Sequence, residues 1–214
     1  YSASSRSQLA GLGRRYGWAG HPVSSFIPPT AVADGTLYLN LLGHHLGVDL
    51  ETGKLLWRSD RYHDLHTKMQ NVWYLPVSQY AAGAGDVHIW TVTREPSQLR
   101  SNQAAFHLER IDPRTGKTVW SSKSEAELKS WNFFGSPIQV GARLFVTAMD
   151  ANKAVEVNVL ALDVETGAKV WATHIGNYQV DPNRMYYMQT PRPSMLVHKE
   201  RLYVETHSGA LVRL

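Results

Sequence analysis

The chain has 214 residues, 43% of them hydrophobic, which is enough apolar material to bury a real core. Its 22 basic and 18 acidic residues leave a net charge of +4 with no basic block, so the pI near 9.3 bears on solubility and gives no support for nucleic-acid binding. There is no cysteine, which excludes a disulfide scaffold, a cysteine nucleophile, a thiolate zinc site and an iron–sulfur centre, and no apolar run approaches the roughly 18–20 residues of a membrane helix.

In chain order, residues 1–22 match nothing downstream and are read as a lead-in or as a strand of a preceding unit. From residue 23 onward the chain repeats itself. A strand is expected to start at a proline, where the missing N–H is tolerated, at Pro29, Pro76, Pro137 and Pro193. Turn signals follow at Asp34-Gly35, at Gly83 to Gly85, at Gly141-Ala142 and, more weakly, at Lys199-Glu200. Each turn leads into a second strand: Leu37-Tyr38-Leu39, Val87-His88-Ile89-Trp90, Leu144-Phe145-Val146 and Leu202-Tyr203-Val204. Four strands of one kind mean four repeats. A third, alternating strand follows, seen in Leu46 and Val48 and again in Val159 and Ala161.

Three of the repeats continue into one spacing, an Asp with Thr-Gly three and four positions later and a Trp four positions after the Gly. These are Asp49, Gly53 and Trp57, then Asp112, Gly116 and Trp120, then Asp163, Gly167 and Trp171. The Asp-x-x-Thr-Gly segment has the composition of a tight hairpin turn, the carboxylate accepting backbone N–H groups and the Gly taking the left-handed conformation. The turn joins the third strand to a fourth that carries the Trp. Simple alternation puts Trp57, Trp120 and Trp171 on the face of Leu55, Thr118 and Lys169, and puts Leu56, Val119 and Val170 on the opposite face, so both faces of this strand are expected to meet protein. The indole would cover apolar surface between units and its N–H would find one acceptor. The aspartates are read as turn caps, with no catalytic role.

These three segments resemble the tryptophan-docking motif of the pyrroloquinoline quinone (PQQ) type β-propeller repeat. That family includes quinoprotein dehydrogenases and non-enzymatic envelope proteins such as the outer-membrane assembly lipoprotein BamB. The resemblance covers residues 24–214. The family's Ala two positions before the Asp is present only as Ala161, with Gly47 and Arg110 elsewhere, and the third copy shifts its Lys to Lys169. The resemblance implies an all-β fold, a propeller of four-stranded antiparallel blades, with about four blades here, the last incomplete, of a seven- or eight-bladed ring. The domain reading is a lead-in over 1–22 and a propeller segment over 23–214, part of a longer chain. The rival is a closed four-bladed ring in which Gly13 to Trp18 supplies the last strand of the fourth blade.

Other chemistry finds little support. His44-His45 and the group His63, Asp64 and His66 are the best metal candidates, but neighbours on a strand point to opposite faces, and the loop 61–70 reads better as an interaction surface. There is no Gly-x-Ser-x-Gly elbow and no phosphate-binding loop; Gly11-Leu12-Gly13 lacks a third Gly, and Arg14-Arg15 makes no patch. The Arg94 to Asn102 stretch is expected to be a surface loop, and Asn177 to Thr190 joins two repeats, with Met185 to Met188 read as strand core. No catalytic residue and no metal site is assigned. By the resemblance, the chain is a non-catalytic scaffold for a protein or polymer partner in the bacterial cell envelope or periplasm, with no cofactor and no membrane span. The alternative is part of a PQQ- and calcium-dependent alcohol or sugar dehydrogenase; many alcohol-oxidising relatives carry a pair of adjacent cysteines, absent here, which weighs against it.

Overall fold

The structure, a computed structural model, describes residues 29–41, 43–59, 80–94, 105–150, 156–177, 194–206 and 210–214. Within them the strands build four antiparallel sheets, each in simple chain order. The first holds β1 (Thr30–Ala33), β2 (Thr36–Leu41), β3 (His44–Asp49) and β4 (Leu55–Arg58). The second holds β5 (Ala81–Ala84), β6 (Ile89–Thr93), β7 (His107–Ile111) and β8 (Thr118–Ser121), and the third holds β9 (Trp131–Val140), β10 (Arg143–Asp150), β11 (Glu156–Asp163) and β12 (Lys169–Asn177). The fourth has three described strands, β13 (Ser194–His198), β14 (Arg201–Glu205) and β15 (Leu211–Arg213). The first strands of successive sheets touch in series, β1 against β5, β5 against β9 and β9 against β13, as propeller blades do around an axis.

The core lies in the seams between sheets, which is why period-2 strands here are apolar on both faces. Between the first and second sheets Tyr38 packs with Ile89 and Ile111. Between the second and third, Trp90, Val92 and Leu108 meet Leu144, Val146, Leu160 and Leu162. Between the third and fourth, Phe145 and Val159 meet Leu202 and Val204. Leu108, Leu144 and Leu160 are wholly buried, and each contributes about 1.5–3 kcal/mol through removal from water.

Turn chemistry follows the sequence closely at two hairpins. Asp34 and Gly35 both take positive φ between β1 and β2, as the tight turn that matches strand twist requires. Lys199 and Glu200 do the same between β13 and β14 without a glycine. Elsewhere the expectations need correction. Val87 and His88 belong to the turn before β6, so that strand begins at Ile89. Pro137 lies inside β9, where Gly135 has positive φ and the register against β10 shifts between Phe145 and Thr147. An irregularity on a first strand of the sheet removes the need for the amide that proline lacks. Pro29 directly precedes β1 as expected, while Pro76, Pro193 and residues 1–22 lie outside the described residues.

Candidate functional site

The repeat motif builds one local structure three times. Asp49 N–H donates to the Lys54 carbonyl and Gly53 N–H to the Asp49 carbonyl, at 2.8 and 2.9 Å. The Asp112 and Asp163 turns repeat both bonds, with Lys117 and Ala168 as the acceptors in the place of Lys54. One carboxylate oxygen caps each turn: Asp49 accepts from Thr52 N–H and Oγ1, Asp112 from the N–H groups of Arg114 and Thr115, and Asp163 from those of Glu165 and Thr166 and from Thr166 Oγ1. All three carboxyl groups are thereby held below the ordinary carboxylate range. The Thr52 hydroxyl and amide do this at Asp49, and the Thr166 amide and hydroxyl at Asp163. At Asp112 burial pushes the value up, and the Thr115 and Arg114 amides outweigh it. Gly53, Gly116 and Gly167 all have φ near +70°, in the left-handed region.

Each Trp sits across the strand from the residue two before the Asp: Trp57 opposite Gly47, Trp120 opposite Arg110 and Trp171 opposite Ala161. The Trp57 ring lies so tightly against Gly47 of its own sheet and Gly116 of the next that a Cβ on either would overlap it. Its Nε1 donates to the Pro113 carbonyl of that next turn at 2.7 Å. Trp120 covers Gly167 in the same way, but its Nε1 donates to Glu125 at 3.1 Å, because the Val164 carbonyl that corresponds to Pro113 is taken by Arg110 Nη1. An aromatic on the second strand flanks each indole: Tyr38 beside Trp57, Trp90 beside Trp120 and Phe145 beside Trp171, with centroids 6.4, 5.8 and 5.9 Å apart.

The expected face-sharing on the fourth strand does not hold. In all three sheets the register shifts at the residue before the Trp, leaving Leu56, Val119 and Val170 without a cross-strand partner. Such a bulge sets two residues against one and resets the alternation. Leu55, Thr118 and Lys169 therefore pair with Val48, Ile111 and Leu162, on the face away from the indole. The bulged residues are not covered either, being 48, 46 and 46% exposed.

A second constellation lies at the seam of the first two sheets and was not singled out from sequence. Glu109 on β7 accepts from or pairs with His107 Nε2 at 2.9 Å, and His45 Nδ1 of β3 stands 3.9 Å away. Thr118 donates to Glu109 at 3.4 Å, His45 Nε2 is 3.4 Å from Thr93 Oγ1, and Asn40 donates to Thr91 Oγ1 at 2.9 Å across the same seam. Every one of these residues except Thr118 is buried. Closed to substrate, the cluster ties two sheets together. Its signal was available: His107 and Glu109, like Thr91 and Thr93, are two apart and so share a strand face.

His44 and His45 are consecutive in β3 and both buried, and no group of three His, Asp or Glu side chains among the described residues is set to hold a metal. His63, Asp64 and His66 lie outside the described residues, as do positions 95–102 and 178–190 of the two loops. Arg94, expected on a surface loop, is instead buried, its guanidinium 5.1 Å over the Phe106 ring. Tyr80 packs edge-on to the same ring, and burial pushes its hydroxyl up to about 12 against the opposing pull of Arg94. Among the described residues no helix is long and apolar enough to cross a membrane.

The quinohemoprotein alcohol dehydrogenase ADH-IIG of Pseudomonas putida is 26% identical to the chain over 142 residues, 65% of this chain and 18% of that enzyme, so the chain spans less than a fifth of that relative's length. The solved structure of ADHIIG from Pseudomonas putida HK5 matches 84% of this chain and 29% of its own, with a TM-score of 0.51 and 19% identity. The computationally designed Ika4 protein matches 88% of this chain and 89% of its own, with a TM-score of 0.53 and 12% identity. BamB from Moraxella catarrhalis matches 87% and 62%, with a TM-score of 0.39 and 14% identity. At these identities the structural likenesses to ADHIIG and Ika4 establish a fold. A family profile described as outer membrane protein assembly factor BamB matches residues 47–214, more than three quarters of the chain, which therefore belongs to this family of PQQ-like propeller proteins.

Proposed function

We propose that the chain is part of a non-catalytic propeller scaffold of the bacterial cell envelope, presenting its loops to a protein or polymer partner, with Trp57 and Trp120 as the docking groups that hold blade to blade. The observation that carries the reading is the family match, whose description names outer membrane protein assembly. The two indoles support it, since each crosses a seam onto the next sheet's turn glycine. Rigid seams of this kind hold connecting loops in fixed places, which is what a binding platform needs.

A second reading rests on the sequence likeness to a quinohemoprotein alcohol dehydrogenase. It would place the chain within a PQQ- and calcium-dependent oxidoreductase. Calcium takes six to eight oxygen ligands, and the described carboxylates do not converge on a common point: the three motif aspartates are spent on their turns and Glu109 on its imidazoles. Among the described residues no three His, Asp or Glu side chains are grouped to hold a metal ion.

The test uses the full-length protein of the source organism. On the scaffold reading, addition of PQQ and calcium leaves its absorbance unchanged and yields no dye reduction with alcohols or sugars, while loss of the gene lowers the amount of folded outer-membrane protein. Dye reduction that depends on PQQ and calcium would overturn the scaffold reading.

A further inference from the structure

The face that the second sheet turns to the first is of two kinds along its length. Register and alternation place Ile89, Thr91, Thr93, His107, Glu109 and Ile111 on it, and put Trp90, Val92 and Leu108 on the opposite face, toward the third sheet. Ile89 and Ile111 meet Tyr38 and the small side chains of Ala31 and Ala33. At the other end, where β2 gives way to β3, the seam is polar and ionisable: Asn40 donates to Thr91, and His45 stands against Thr93 and Glu109. The second seam is filled instead by aliphatic residues such as Leu108, Leu144, Leu160 and Leu162.

The charges in the polar half balance for one proton only. Glu109 is buried, and a buried carboxylate requires a compensating charge. One imidazolium supplies it, and two rings are in place to do so, His107 at 2.9 Å from Oε1 and His45 at 3.9 Å from Oε2. The carboxylate holds the His107 proton on Nε2. Among the described residues nothing forms a hydrogen bond with its Nδ1, so a further proton there would be a buried charge on an unsatisfied N–H. The surrounding groups do not relieve it. Tyr38 of β2 meets the His45 ring edge-on at 5.6 Å, Thr118 of β8 gives Glu109 a hydroxyl, and Ser59, just past β4, accepts from the His45 amide. His44 and Arg58 lie on the opposite face of the first sheet, and Arg94 and Arg110 on the opposite face of the second, over Phe106 and Trp90.

We propose that the first seam is a proton-operated clasp: mild acidification puts a second proton on the His45–Glu109–His107 group, which one carboxylate cannot balance, and the first two sheets part at that end. Closed, the group holds one proton over two imidazoles. Opened to water, each imidazole takes its own below about pH 6.5. Opening therefore takes up one proton, so the seam is held above that pH and loosens progressively below it. This goes beyond the scaffold reading and does not depend on it, since it concerns a seam within the array and not its loops.

Hydrogen exchange read by mass spectrometry on the full-length protein, between pH 7.5 and 5 and corrected for intrinsic rates, tests it. Peptides from β3 and β7 should show an opening constant that rises by up to about 30-fold, as uptake of one proton near pH 6.5 gives, while those from β10 and β11 change far less. His45→Gln or His107→Gln leaves one imidazole for one carboxylate and should remove the rise; either variant suffices if the other does not fold. Glu109→Gln leaves two imidazoles and no carboxylate, so opening takes up two protons and the rise should steepen, which loss of a merely structural hydrogen bond would not produce. A rise in β3 and β7 no larger than in β10 and β11, one that persists without His45 or His107, or a shallower one in Glu109→Gln would overturn the proposal.

Discussion

Gly53 and Gly116 occupy the same position of the same turn, at φ +67° and +71°, but only Gly116 lies beneath an indole. Replacing each with alanine therefore separates backbone strain from packing. Gly53→Ala forces an L-residue into the left-handed region, at about 1–2 kcal/mol, and its Cβ enters open space. Gly116→Ala carries the same cost and in addition drives a methyl into the Trp57 ring, for which overpacking adds about 1–3 kcal/mol. The expected result from urea unfolding is an excess of about 1–3 kcal/mol for Gly116→Ala over Gly53→Ala. In a Trp57→Ala background the excess should vanish. Should that background prove too unstable, Trp57→Phe should shrink the excess, since the smaller ring lacks the Cε3 and Cζ3 atoms that would be struck and keeps only the Cδ2 position; it also loses the bond to Pro113, worth about 1 kcal/mol. Equal costs for the two glycines in the unaltered chain, or an excess that survives the loss of the indole, would refute the claim that Trp57 is pressed onto the turn of the next sheet.

Glu109→Ala removes the carboxylate that two buried imidazoles face and should cost about 1–3 kcal/mol in chemical denaturation, as for buried polar groups left without a partner. Leu144→Ala, at a fully buried seam position, should cost about 2–5 kcal/mol, whereas Val119→Ala, at an exposed bulge, should stay within about 0.5 kcal/mol. The motif aspartates have folded values below the unfolded 3.8, so their contribution is present above pH 3.8 and fades as pH falls through the folded values; unfolding midpoints followed down through this range should drop less steeply when all three are Asn. Tyr80 runs the other way. With its hydroxyl raised from 10 to about 12, it favours the folded state below pH 10 and that contribution is lost as pH rises toward 12; a Tyr80→Phe variant should show a shallower alkaline decline and lack the late phenolate absorbance.

Much of the fold was legible because its signals are local. An Asp whose carboxylate folds back onto the amides of the next few residues, and a Gly that must take positive φ, act within a single turn, so Asp49, Asp112 and Asp163 could be placed without any knowledge of neighbours. Strand alternation likewise revealed four second strands, three of them as parts of longer observed strands, while the one read over Val87 to Trp90 lost Val87 and His88 to its turn.

The sequence by itself thus determined the repeat, its turns and the residues that alternate, since these depend on backbone geometry over a few positions. Only the tertiary structure decided which way the fourth strand faces, because one bulged residue inverts every later side chain and leaves no mark in composition. It also decided where each indole N–H goes. Trp57 reaches Pro113 and Trp120 does not reach Val164, because Arg110, across the strand from Trp120, takes that carbonyl of the next sheet. The imidazole pair around Glu109 is of the same kind, two sheets meeting at a place that no single stretch of sequence describes.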